Sequence, residues 1–131
     1  MSYVGNLGSV LFGNEHFRQV IFTGQKSQLV VMSLLPGEDI GEETHTHVEQ
    51  VLTIAQGEGT VVLDGVETPI KASEVIIVTP GTRHNVVNGS GSPMKIATVY
   101  APPNHIDGRI HMTKADAIAD AQDEAFGETV T

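Results

Sequence analysis

His45 and His47 stand one residue apart in the stretch THTHVEQVLTIAQGEG, residues 44–59, and two polar side chains, Glu49 and Gln50, follow at the start of an apolar run. Side chains two apart on an extended strand lie on one face, so the two imidazoles can bring their nitrogens to a single point, which is a metal-ligand spacing. A further histidine lies far along the chain in VTPGTRHNVVN, where a Pro-Gly turn delivers His84 to the head of another strand. Three histidines in two strand-initial positions converge on one ion. The chain has no cysteine, so nitrogen and oxygen must hold it. Two residues can supply the oxygen. If Leu52 and Ile54 face the interior, Gln50 shares their face; unbroken alternation from His45 and His47 turns Glu49 inward instead. Three imidazoles with an amide or carboxylate oxygen suit one divalent transition metal, Mn, Fe, Ni, Co or Zn. A Gln ligand in place of a carboxylate leaves the ion more of its charge and makes it the stronger Lewis acid.

The other polar candidates have plainer readings. His16 precedes a strand and reads as a surface residue. His105 and His111 flank IDGRI, where hydrogen bonds fixing the C-terminal turn are their expected role. Met32 and Tyr100 fall on expected strands and read as core, although Tyr100 is the first choice for a substrate-facing hydroxyl. Arg83 adjoins His84 and so points away from it, as a solvated rim residue. Thr44 and Asn88 are candidates to orient the ligand imidazoles.

Short β-rich runs must position these groups: FRQVIFT (17–23), SQLVVMSLL (27–35), QVLTIA (50–55), TVVLDG (60–65), VETPIK (66–71), EVIIVT (74–79), HNVVN (84–88) and MKIATVYA (94–101). Strands this short, separated by Gly, Pro, Asn or Asp, predict an all-β sandwich or barrel. Asp64-Gly65 tolerates the positive φ of a type I′ turn and predicts one hairpin over residues 60–71. TKADAIADAQDEAF differs, being rich in Ala and acids with Thr113 and Asp116 spaced as a capping box, and predicts a short helix in a C-terminal tail, 112–131. The length of 131 residues fits one domain, 1–131. Seven Lys and Arg against 16 Asp and Glu give a net charge of −9, which argues against a nucleic-acid partner and offers no cluster for a phosphate-rich one. No window approaches the roughly 20 apolar residues of a membrane span, so a cytoplasmic protein without a membrane partner is expected.

Residues 37–88 resemble the two motifs of the cupin superfamily, small β-barrels that hold a metal inside. Gly41, His45 and His47, then Gln50, six residues and Gly57 follow the first motif. SEVIIVTPGTRHNVVN, with Gly81, His84 and Asn88, follows the second. Gln50 occupies the place of the family's Glu, after a stretch from His47 shorter than the family norm; Ser73-Glu74 replaces Gly-Asp, and Pro80 stands one residue late. The spacing back from Gly57 favours Gln50 over Glu49 and asks for a bulge between Val48 and Gln50. The resemblance implies a jelly-roll, or double-stranded β-helix, barrel with a metal at His45, His47, Gln50 and His84. The implied activity is metal-dependent chemistry on a small oxygen-rich metabolite, of dioxygenase, isomerase, lyase or decarboxylase type. The alternative is a non-catalytic barrel that binds a metal or small molecule as sensor or store. The ending YAPPNHIDGRIHMTKADA is similar to single-domain cupins loosely called mannose-6-phosphate isomerase-like, but the scattered basic residues offer no phosphate clamp. A small-molecule ligand and a homodimer are the expected partners, with FRQVIFT the strand available to a second copy.

Overall fold

The computed structural model describes residues 1–130, so Thr131, the last residue of the expected tail, lies outside the described residues. Each expected β run forms a strand: β1 (Arg18–Thr23), β2 (Gln28–Leu34), β3 (Glu49–Gln56), β4 (Glu58–Leu63), β5 (Val66–Lys71), β6 (Val75–Val78), β7 (His84–Val87) and β8 (Met94–Ala101). With a two-residue β9 (Ile110–His111) they build two antiparallel sheets, ordered β6-β3-β8-β2-β1-β9 and β5-β4-β7. The core lies between their inner faces, with Met32, Leu52, Ile54 and Ile96 of the large sheet packed with Val61, Ile70 and Val86 of the small one. This is the expected all-β barrel, two antiparallel sheets closed over one core. Leu52 is 1% exposed, and cutting it to Ala would cost about 2–5 kcal/mol, the usual range for an aliphatic core truncation.

Local chemistry sets the corners. Asp64 and Gly65 take φ of 49° and 81° between paired Leu63 and Val66, the positive pair that a type I′ hairpin requires. At Gly59 an added Cβ would lie 2.1 Å from the Val87 carbonyl oxygen, so its glycine permits a close backbone approach rather than a turn. β1 is paired by β2 along its length and by β9 only at Arg18 and Gln19, so the strand expected to be available to a second copy is covered on its outer side at its start.

The helices depart from expectation. A short α1 (Leu7–Phe12), capped by the Asn6 side chain on the Ser9 amide, was not signalled; its Leu11 packs on Val31 and Ala97 outside the large sheet. The single C-terminal helix is two, α2 (Lys114–Ala119) and α3 (Ala121–Val130), broken at Asp120 with ψ 80°. The capping box of Thr113 and Asp116 is formed as read. No helix among the described residues is long and apolar enough to cross a membrane.

Candidate metal centre and its cavity

β7 opens on His84, which is buried, with Nδ1 2.9 Å from the Thr82 carbonyl oxygen. A carbonyl only accepts, so Nδ1 carries the hydrogen and Nε2 keeps its lone pair. Burial lowers the His84 pKa, opposed in part by that carbonyl, and so favours the neutral ring that ligation needs. Across from it, Glu43 and His84 exchange backbone hydrogen bonds of 3.0 and 2.9 Å in an isolated antiparallel bridge. His45 stands two residues on, its ring centroid 5.4 Å from that of His84. One ligand atom from each of Glu43, His45 and His84 falls within 4.8 Å of the other two.

His45 Nε2 approaches Glu43 Oε2 to 2.9 Å without the alignment of a hydrogen bond. Burial alone would raise the Glu43 carboxyl; contact with His45 and the charge of Arg18 outweigh it and hold the group below the ordinary carboxylate value. Gln50 is buried on β3, its Nε2 donating to Thr98 Oγ1 at 3.1 Å while Oε1 has no partner. A buried amide oxygen without a donor and an imidazole nitrogen facing a carboxylate at close range are groups that a cation satisfies. The two imidazoles and the carboxylate fit a divalent transition ion, and Gln50 Oε1 is a further buried oxygen without a partner among the described residues.

The structure does not bring the sequence candidates together as a strand face. His45 and His47 precede β3, and the chain bends at Thr46 and His47, which leaves His47 exposed and outside the cluster. The bulge expected between Val48 and Gln50 is absent. Val48, Glu49 and Gln50 alternate buried, exposed, buried, and the nearest register shift comes later, between Ile54 and Gln56. Glu49 therefore faces out and Gln50 in. Tyr100 is fully buried, with His45 and His105 edge-on at 6.4 and 4.9 Å, and burial pushes its hydroxyl up to about 12, so it stays protonated. Asn88 is spent on the carbonyls of Leu34, Leu35 and Ser92, away from the imidazoles, whereas Thr44 lines the adjoining cavity. Arg83 is an exposed rim residue beside Glu42, as read.

That cavity, of about 380 Å³, has Arg18, Glu43 and His45 on the barrel side and Lys114, Asp123 and Glu128 on the side of α2 and α3. Lys114 pairs with Asp39, which lowers the Asp39 carboxyl and ties α2 to the barrel. His105 lines the same space, its Nδ1 2.7 Å from Asp123 Oδ2. Burial lowers the His105 pKa against the pull of Asp123; for Asp123 burial would raise it, but the bond from His105 and the Ile106 amide hold it low. The pair is thus neutral imidazole and carboxylate, with Nδ1–H donating. His111 binds Asp120 at 2.9 Å, so both late histidines do fix the C-terminal segment, as expected from sequence.

Sequence reasoning passed over Glu43, Arg18 and Asp123. Glu43 had a signal, for it precedes His45 at the same two-residue spacing. The other two meet the site only through the fold.

Residues 30–100 match the family model of the cupin domain, which is more than half of the chain. The chain belongs to the cupin family. This cupin is 41% identical over 123 residues to the uncharacterised protein YrkC of Bacillus subtilis, a match that covers 89% of this chain and 66% of that protein, just under two thirds of its length. The crystal structure of a Bacillus halodurans protein is 35% identical, with a TM-score of 0.88 over 91% of this chain and 95% of the other. A Thermotoga maritima structure, described as that of a predicted oxalate decarboxylase, is 27% identical, with a TM-score of 0.57 over 58% of this chain and 67% of that one.

Proposed function

We propose that this cupin is a metal-dependent enzyme acting on a small oxygen-rich metabolite, with one divalent transition ion held by Glu43, His45 and His84 and by Gln50 from β3. The observation that carries the reading is the convergence of three ligand atoms within 4.8 Å, two of their residues lining a cavity of about 380 Å³. Glu43 restores the negative charge lost where Gln50 stands in place of the family's Glu, so the expected gain in Lewis acidity from Gln50 is offset. A bound ion would supply polarisation of a chelating oxygen.

The chain's own residues do the rest. The Thr82 carbonyl fixes the His84 tautomer, Thr98 orients the Gln50 amide, and the apolar inner faces bearing Leu52, Ile54 and Val86 exclude water below the cluster. The likeness to a predicted oxalate decarboxylase supports a reaction at a carboxylate, among the dioxygenase, isomerase, lyase and decarboxylase types. A homodimer is the proposed assembly; β6, an edge strand with Val75 and Ile77 exposed, offers a surface besides β1.

The test is elemental analysis of protein purified without added metal, followed by a substrate screen under air and under nitrogen. Stoichiometric metal with turnover only in air assigns a dioxygenase; turnover in both assigns one of the other types. Absence of bound metal overturns the reading.

A further inference from the structure

Three buried polar atoms in the residues lining the cavity lack hydrogen-bond partners among the described residues: His45 Nε2, which belongs to the cluster already described, and Arg18 Nε and His105 Nε2, which are complementary to each other. Arg18 is 6% exposed at the head of β1, and its Nε, a donor, has no acceptor. No carboxylate comes within 4.0 Å of its guanidinium among the described residues. His105 is 7% exposed, and its Nε2, left with a lone pair because Nδ1–H donates to Asp123, has no donor. The Tyr100 ring packs edge-on against His105, with centroids 4.9 Å apart. Such orphaned groups cost stability unless a bound molecule satisfies them.

We propose that Arg18 and His105 form a recognition pair for a small 2-hydroxycarboxylate, Arg18 taking the carboxylate and His105 Nε2 accepting the hydroxyl hydrogen. The surrounding charge selects a monoanion. Glu43, Asp123, Glu124 and Glu128 line the same cavity, and Lys114 is already paired with Asp39, so Arg18 is the cation among the described lining residues with no carboxylate within 4.0 Å. A phosphate or a dicarboxylate would bring a second charge with nothing to meet it. The proposal deepens the enzyme reading by naming its ligand class, but neither contact passes through the metal.

The experiment is calorimetric titration of the whole chain, metal-stripped and Mn(II)-loaded, with lactate and with two analogues that each lack one group, propionate and propane-1,2-diol. Lactate should bind in both forms. Loss of the hydroxyl should weaken binding about fivefold, and loss of the carboxylate about tenfold or more, in line with neutral and charge-assisted hydrogen bonds. Arg18→Met should erase the preference for lactate over the diol, with Arg18→Lys partly restoring it. His105→Phe should erase the preference for lactate over propionate; if that variant does not fold, the wild-type comparison decides. Metal content of each sample is measured alongside. Arg18-dependent lactate binding in a protein that takes up no metal would sustain this inference while removing the enzyme reading. Stoichiometric metal with flat lactate titrations at millimolar concentration, or lactate binding indifferent to Arg18, would overturn the inference and leave the metal reading standing.

Discussion

Two groups of histidine and carboxylate in this protein have similar composition and opposite chemistry. Glu43, His45 and His84 meet on the barrel; His111, Asp120 and Asp123 meet under the C-terminal helices, and in each the ligand atoms lie within 4.8 Å of one another. In the second group the acids are already satisfied. Asp120 takes the His111 ring, the Arg109 guanidinium at 3.1 Å and the Asp123 amide, and Asp123 takes His105 and the Ile106 amide. A cation placed there would displace these bonds and sit beside Arg109. In the first group His84 keeps Nε2 free, since Nδ1 is held by the Thr82 carbonyl, and the Glu43 carboxylate meets only the His45 ring. Residue type and distance thus mark both groups, and each keeps an unpartnered imidazole nitrogen, His111 Nδ1 in the second; the engagement of the carboxylates is what separates a candidate ligand set from a fastening.

The sharpest break in this comparison is a pair of variants. His84→Ala should reduce metal from one equivalent to near none, weakening affinity by about a hundredfold or more, beyond the usual cost of losing an outer-shell partner. His111→Phe should keep the full equivalent. Metal lost in both, or in neither, would erase the distinction, and elemental analysis reads it directly.

Next in size is the fastening itself. His105→Leu leaves the buried Asp123 carboxylate without its main partner and should cost about 3 kcal/mol in chemical denaturation. Limited proteolysis should then cut the chain beyond residue 110 faster, with metal content unchanged.

A smaller effect is expected from pH. Because burial holds the His105 pKa below its value of 6.5 in the unfolded chain, acid protonates the unfolded state first. The stability is complete above that pH and is lost as pH falls through it toward the folded value. The midpoint of metal-free protein should therefore drop between neutrality and pH about 5, and His105→Leu should flatten that drop. An equally steep profile in the variant would assign the loss to other groups.

The smallest change is predicted for His47→Ala, which removes an exposed ring and should alter metal affinity by less than about twofold, far below one lost interaction of 1.4 kcal/mol per tenfold. A large loss would show that the ion draws His47 inward.

Most of the barrel could be read from the chain because its signals are local: alternation within each strand and Asp64-Gly65 between two of them. LGSVLF is an apolar stretch too short to show a helical period, so α1 stayed hidden, and nothing before Asp120 announces the break between α2 and α3. At the site, the burial of His84, at the head of β7, and the inward orientation of Gln50, the second residue of β3, were legible, since the face of each strand is set by its apolar neighbours. His47 misled because the two-residue rule holds only within a strand, and the strand begins at Glu49. Arg18 and Asp123 reach the cavity from opposite ends of the chain, through pairings that no local pattern encodes.

That last arrangement has a consequence for biosynthesis. Chains emerge N-terminus first and fold as they come. A nascent copy can close its barrel once β8 is out, with Glu43, His45 and His84 in place, yet Asp123, which orients His105, arrives only with α3. Metal capture and ligand discrimination would then be acquired at different moments, the first while the chain is still being made and the second after its last helix has docked.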